Sequence, residues 1–468
     1  MSKAEVVIAG GGFAGLVSAA ACAARGMNVC VLEALSRPMT AFRGELLHPS
    51  GTRLLSDIGL LEALGRGGAV TVTGFAVFDA PAARPVLLPY PEAGGSGLAM
   101  CHRQMLARLR DRLKREPRVK FFEGMPVVGL VCDKQRVAGL RSSHGREFRG
   151  DVVIVADGRH SRLRPQLGIQ TRSSLLSYTV ALDLRETLLP HVENGHVFVG
   201  APGPVLAYSY RRRDVRLCID VPLGAPRGRA ALSAYLRKEY APHLPAALRA
   251  ASLEALDRGA FELCANHAIA TEACAVRGAA LVGDAAGCTH PLTATGMPTT
   301  LLDAVTLAEC LDRSASTDAG LIAYQRRHYR FARVREVFAQ ALYDVFRSAD
   351  PGAKALCDGV FAYWRRDRRA RAASIRILSG EATGGLAFAS QYARVLGITS
   401  SQLVNRALGS HELRHATPIG AVFAVAGVSL RQAAGHAIAA LQTELTERLE
   451  PPLERDVVAA RSAAGSLA

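Results

Sequence analysis

Hydrophobic and polar positions change period several times along the chain, and each change marks an element. The run EVVIA is continuous and apolar, the pattern of a parallel strand buried on both faces. It breaks at GGGFAG, continues as the alanine-rich, helix-like LVSAAACAARG, and returns to a buried strand in NVCVLEA, with Glu33 near its end. Two more apolar runs stop at an acid: DVVIVADG at Asp157 and AALVGD at Asp284. Small residues, hydroxyls, one His and one Pro follow in GDAAGCTHPLTATGM, and then the helix-like TTLLDAVTLAECL. From YQRRHYRFARVREVF onwards apolar positions such as Phe331, Val334, Phe338, Leu342 and Val345 recur at helical spacing, which predicts successive helices with a core-facing stripe.

The first of these breaks has a specific chemistry. Gly10, Gly12 and Gly15 stand in GxGxxG spacing between a strand and a helix. Gly10 permits the tight turn, Gly12 lets backbone approach a pyrophosphate, and Gly15 lets the helix pack on the strand. The helix N-terminus then faces the phosphates, and Glu33 can accept hydrogen bonds from a ribose. Strand, helix and acid all sit where the motif requires them, so dinucleotide binding is expected. The turn alone does not choose between NAD and FAD. No second GxGxxG in strand context appears, so a nicotinamide dinucleotide would bind transiently or pass electrons through a separate reductase.

The stretch DVVIVADGRHSRLR adds Asp157, Gly158, Ser161 and Arg164. The trio of GxGxxG, DGxxSxxR and a later GD before a helix resembles the class A FAD-dependent monooxygenases, the family with the p-hydroxybenzoate hydroxylase fold. Within it, GELLHPSGTRLLSDIGLLEAL, GPVLAYSYRRRDVRLCIDV, HPLTATGM and AQALYDVF are similar to the squalene epoxidase branch, in the same order, from near Glu5 to about Ser390.

The resemblance implies an α/β protein in which a Rossmann-type FAD-binding domain is interleaved with a β-sheet substrate domain and followed by a C-terminal helical region. The expected division is 1–70, 101–165 and 271–345 for FAD binding, 71–100 and 166–270 for the substrate domain, and 346–468 for the helices. It implies FAD as cofactor, held by Gly10, Gly12, Gly15, Glu33, Arg43, Arg103, Asp157, Asp284 and Met297, with NAD(P)H as ultimate reductant. Asp284 would hold the ribityl chain, and the loop to Met297 would pass beside the isoalloxazine ring. Reduced flavin and O2 would form a C4a-hydroperoxyflavin that epoxidises or hydroxylates an electron-rich substrate. Arg159, Arg162 and Arg164 would attract the reductant's phosphates.

Two departures from the branch bear on substrate. His48 replaces its usual Gln and Phe75 its usual Tyr, two side chains that form a polar pair above the flavin; both are expected near the catalytic centre. Ala294 and Thr295 replace two glycines of HPLTGGGM, which reshapes the pocket beside the ring. His290 is expected to be structural. The substrate expected is therefore lipophilic and isoprenoid-bearing, such as a prenylated quinolone or indole of specialised metabolism. Squalene itself, or an FAD-dependent prenyl reductase of geranylgeranyl reductase type, is the alternative; a non-catalytic flavoprotein is a third.

Composition narrows the partners. The formal charge of +16 comes from arginine clusters without interleaved aromatics, which disfavours nucleic acid. Ten cysteines lie far apart with no CxxC pair, so reduced thiols and a cytoplasmic setting are expected. A strand begins almost at once, so no targeting segment is expected. No apolar stretch is long enough to span a bilayer, yet TGGLAFASQYARVLG and PIGAVFAVAGVSLRQAAGHAIAAL, flanked by arginines, suit either peripheral contact with an anionic leaflet or a packed helical cap.

Overall fold

The computed structural model describes residues 5–37, 44–65, 68–81, 83–348, 350–382 and 384–409, with side chains of the last helix described to residue 403. Two sheets organise it. The first has six strands in the order Ala275–Val276, Ala279–Leu281, Val152–Val155, Val6–Ala9, Val29–Leu32 and Val119–Phe122, parallel except for the Ala275–Val276 edge. Its central strands are buried along their whole length, which is why their sequences are unbroken apolar runs rather than alternating ones. Helix Phe13–Ala23 and helix Gly296–Arg313 pack against each other beside this sheet. The strand-end acids Glu33, Asp157 and Asp284 therefore lie at the same edge of the sheet, at the carboxyl ends of parallel strands, where open α/β sheets bind ligands.

The second sheet has eight strands, ordered Gly287–Cys288, Phe261–Thr271, Thr171–Leu184, Asp214–Pro222, Val205–Arg211, Asn194–Phe198, Gly74–Phe78 and Val86–Pro89. Here the side chains alternate between two cores. Leu206, Tyr208, Tyr210, Phe75 and Val77 face one side, and Val205, Ala207, Ala76, Phe78, Leu217 and Ile219 face the other. The second side is closed by helices Arg229–Glu239 and Ala246–Asp257, through Leu232, Leu236 and Leu248. The first is closed by the C-terminal helices Thr317–Arg347, Pro351–Arg366, Arg368–Leu378 and Gly385–Gly409, which contribute Ala341, Val345, Phe361, Trp364, Ile375 and Phe388.

The expected stripe on Thr317–Arg347 is thus core at its C-terminal half, and the part of the TGGLAFASQYARVLG segment in helix Gly385–Gly409 belongs to a helical cap on the sheet. The PIGAVFAVAGVSLRQAAGHAIAAL segment lies outside the described residues. No described helix is long and apolar enough to cross a membrane. All ten cysteines are free thiols.

Candidate active site

Between the two sheets runs a cavity of about 710 Å³, and the strand-end loops line it. Gly10 turns at φ +102°, and a Cβ there would meet the Ala156 carbonyl oxygen at 2.6 Å. At Gly15 a Cβ would stand 1.8 Å from the Gly10 oxygen, so helix Phe13–Ala23 reaches its strand only because this residue has no side chain. Nothing lies within 4 Å of a Cβ built at Gly12, which leaves the turn open to the cavity. Glu33 accepts from the Gly11 N–H at 2.5 Å and from the Leu35 N–H at 2.8 Å, which fixes its carboxylate at the cavity wall. Asp157 accepts from the Arg162 and Leu163 N–H groups through Oδ2, while its buried Oδ1 has no partner among the described residues. Asp284 is partly exposed, with its Oδ2 3.7 Å from Arg159 Nε, and Met297 lines the same cavity beside Gly44.

These features fit FAD. The open glycine turn at a helix N-terminus is a phosphate cradle, Glu33 is a ribose acceptor, and the unmet Asp157 oxygen and exposed Asp284 offer acceptors for cofactor hydroxyls. Seven of the expected cofactor residues are brought together: Gly10, Gly12, Glu33, Asp157, Asp284 and Met297 as lining and Gly15 as the packing position beneath.

Arg103 is not among them. It is exposed on helix His102–Leu113 and does not line the cavity; His102, Leu106 and Arg110 of that helix do. Arg110 reaches the Glu123 carboxylate at 3.1 Å and the Ser36 carbonyl at 3.4 Å. Helical spacing placed a basic stripe there, and only packing decided which arginine turns inward. Arg43 lies outside the described residues. Arg164 is also corrected: it is buried, with its guanidinium on the Ala285 carbonyl at 2.9 Å, and so braces the loop before the Gly287–Cys288 strand instead of facing a ligand.

His48 and Phe75 meet as expected, with ring centroids 5.7 Å apart, but neither lines the large cavity. His48 is fully buried and both ring nitrogens are engaged: Nε2 lies 2.9 Å from the Thr293 carbonyl and Nδ1 2.7 Å from the Tyr90 hydroxyl. A carbonyl only accepts, so Nε2 carries the proton and Tyr90 donates to Nδ1. Burial lowers the His48 pKa to about 4, keeping the ring neutral. The expectation that His48 touches substrate gives way to a different role: it holds the Pro291–Ala294 loop, in which Ala294 adopts φ +51° and lines the cavity. The hydroxyl missing at Phe75 is supplied by Tyr90, just after the neighbouring strand Val86–Pro89. Strand parity turns Phe75 toward the C-terminal helices, where it lines a second, apolar cavity of about 100 Å³. Val77, Phe338, Phe346, Trp364 and Tyr392 also line it, and Leu292 belongs to both cavities.

Two buried polar groups escaped sequence reasoning. Glu45 pairs with Arg216 through Oε2 to Nε at 2.9 Å and Oε1 to Nη2 at 3.2 Å, and accepts from the Tyr208 hydroxyl at 3.3 Å. Burial raises the Tyr208 pKa well above its ordinary value. Asp220 accepts from Ser177 and from His290 Nε2 at 3.0 Å, and His290 Nδ1 accepts the Leu292 N–H at 3.2 Å. His290 stacks on Tyr343 at 3.9 Å. It stands at the loop's turn as the sequence suggested, and it also lines the cavity. The legible signal for Asp220 was a lone charge inside an apolar strand pattern, whereas Glu45 lies just before the short Leu46–Leu47 strand, with no such pattern around it.

A squalene epoxidase family model matches residues 149–402, and one for an NAD(P)-binding Rossmann-like domain matches residues 8–59. Squalene monooxygenase of Mus musculus is 29% identical over 377 residues, covering 77% of this chain and 65% of the mouse protein. Squalene monooxygenase SE2 of Panax ginseng is 30% identical over 398 residues, covering 81% of this chain and 72% of its own. The chain therefore spans just under two thirds of the mouse relative's length. Among solved structures, P. aeruginosa PqsL in complex with 2-aminobenzoylacetate superposes with a TM-score of 0.64 at 22% identity, covering 74% of this chain and 98% of that one. That likeness bears on the fold.

Proposed function

The chain belongs to the squalene epoxidase family of FAD-dependent monooxygenases, and from that premise we propose that it transfers one oxygen atom from O2 to a lipophilic, isoprenoid-bearing substrate, by epoxidation or hydroxylation. Bound FAD, once reduced, supplies the oxygen-activating chemistry. The chain's own residues bind, orient and exclude water. The Gly10–Gly12 turn, Glu33, Asp157 and Asp284 hold the cofactor, and the Pro291–Ala294 loop, pinned by His48 and His290, forms the cavity wall.

The observation that carries the substrate class is the apolar cavity between the sheet and the helices, which shares the lining residue Leu292 with the large cavity. It takes an apolar group and keeps water out. A cavity of about 150 Å³ admits benzene. At about 100 Å³, with Trp364, Phe346 and Phe388 in its wall, this one is smaller still, so it holds no more than a short apolar group such as part of one prenyl unit and excludes a whole triterpene. A prenylated quinolone or indole is the reading this supports; squalene would require the helices to move apart.

NAD(P)H is the proposed ultimate reductant, acting directly or through a separate reductase. Peripheral contact with an anionic membrane belongs to the same proposal, since Arg366, Arg368, Arg369 and Leu386 are exposed on the helical cap; co-sedimentation with phosphatidylglycerol vesicles tests it.

The deciding experiment supplies the reduced, FAD-loaded protein with ¹⁸O2 and a prenylated aromatic acceptor. One labelled oxygen in the product is expected. Loss of the alkene without oxygen under anaerobic conditions, coupled to flavin reoxidation, would instead identify a prenyl reductase.

A further inference from the structure

Tyr208 stands on strand Val205–Arg211, on the same face as Leu206, and lines the large cavity although only 3% of the residue is exposed. Its hydroxyl donates to Glu45 Oε2 at 3.3 Å. Glu45 is buried as well; it takes both Arg216 contacts and, through Oε1 at 3.3 Å, the His102 N–H. Arg216 is held in turn over the Tyr210 ring, 4.7 Å from its centroid. Leu46, Leu206 and Cys218 also line the cavity here, so the hydroxyl interrupts an apolar stretch of wall. The Cys218 Sγ, 3.9 Å from it, is a weak partner.

A carboxylate paired with a guanidinium only accepts. The Tyr208 proton therefore points at Glu45, and the phenol oxygen turns lone pairs, not a proton, toward the cavity. Burying the Glu45–Arg216 pair has a desolvation cost that apolar residues of like volume would avoid, so stability does not call for it. What the pair does achieve is to hold one hydroxyl in one direction. An oxygen that only accepts discriminates among ligands: it meets an N–H or O–H, finds no partner on a hydrocarbon, and opposes the lone pairs of an ether or carbonyl oxygen. Glu45 follows Gly44, where a Cβ would stand 3.4 Å from Met297 Cε, so this acceptor lies on the cofactor side of the cavity.

We propose that Tyr208, oriented by Glu45 and Arg216, is a specificity-determining residue that accepts a hydrogen bond from the substrate's head, and that this head is an aromatic heterocycle bearing a ring N–H. The inference rests on the flavin reading above and adds the polar part of the substrate whose apolar group enters the smaller cavity. A triterpene hydrocarbon has no atom for this position.

The test compares 3-dimethylallylindole with 3-dimethylallylbenzofuran, which has the same shape but an oxygen in place of the N–H. Each is titrated calorimetrically into the FAD-loaded protein, oxidised and without reductant, in wild type and Tyr208→Phe, and visible spectra of bound FAD report that the variant is folded and loaded. Wild type should bind the indole about tenfold more tightly than the benzofuran, the equivalent of one hydrogen bond, and Tyr208→Phe should bind the two within about twofold of each other. A merely structural role would weaken both ligands alike and leave the preference in place. Equal affinities in wild type, a preference that survives in Tyr208→Phe, or binding of neither ligand overturns the subsite; the wild-type comparison decides even where the variant does not fold. Transfer of ¹⁸O to squalene by a protein indifferent to the indole N–H overturns the subsite and leaves the monooxygenase standing. A protein that takes up no FAD overturns the flavin reading instead, and the spectrum separates the two failures.

Discussion

Acidifying the protein should expose the neutral state of His48 as a stability cost that one substitution removes. In the folded chain the ring's pKa is lowered from 6.5 to about 4, chiefly by burial. The unfolded chain therefore takes up a proton between these values while the native chain does not. Stability is full above the unfolded pKa and is lost as pH falls, until the folded pKa is reached. For a pair of values near 6.5 and 4, linkage gives a loss of about 2 kcal/mol on going from pH 7.5 to pH 5, and about 3 kcal/mol at the acid limit. His48→Gln keeps a donor for Thr293 and an acceptor for Tyr90 but cannot titrate. His196, whose pKa is likewise lowered to about 4, titrates equally in both proteins and cancels from the comparison. Urea unfolding followed through the single tryptophan, Trp364, which lies in the core between sheet and helices, supplies the assay. Between pH 7.5 and pH 5 the wild type should lose about 2 kcal/mol more than His48→Gln. An equal loss in the two proteins would refute the assignment of a neutral, doubly engaged imidazole, whatever their absolute stabilities.

Other substitutions separate the roles of neighbouring residues. Gly15→Ala places a methyl group on the Gly10 carbonyl, so the purified protein should lack FAD, read from the absorbance ratio of flavin to protein. Arg103→Ala should leave FAD affinity unchanged in a fluorescence titration, because the side chain is outside the cavity, whereas Glu33→Ala should weaken it at least about tenfold by removing a charged acceptor. Tyr90→Phe leaves Nδ1 of His48 without its donor and should lower unfolding free energy by about 1–3 kcal/mol. Phe346→Ala opens the wall of the apolar cavity, which should cost about 3–5 kcal/mol in urea unfolding.

Much of the nucleotide end was legible from the residues because the signals there are local. Gly10, Gly15 and Glu33 are fixed by a turn, a helix crossing and a strand end, each contained within a short stretch, and unbroken apolar runs mark strands buried on both faces. The acids at Asp157 and Asp284 were readable for the same reason, since each follows its strand directly. What the sequence could not carry was direction over distance. Arg103 and Arg110 belong to one basic helical stripe, and only the packing of that helix turned Arg110 inward. Phe75 took its facing from the parity of a strand within an eight-stranded sheet, and Tyr90, from the adjoining strand's end, restored the hydroxyl that Phe75 lacks. Glu45 met Arg216, and His290 met Asp220, across long separations in the chain, where no periodicity links the partners. Local backbone requirements write themselves into neighbouring residues. Pairings that close a cavity are set by how whole elements dock, and the tertiary structure alone decided them.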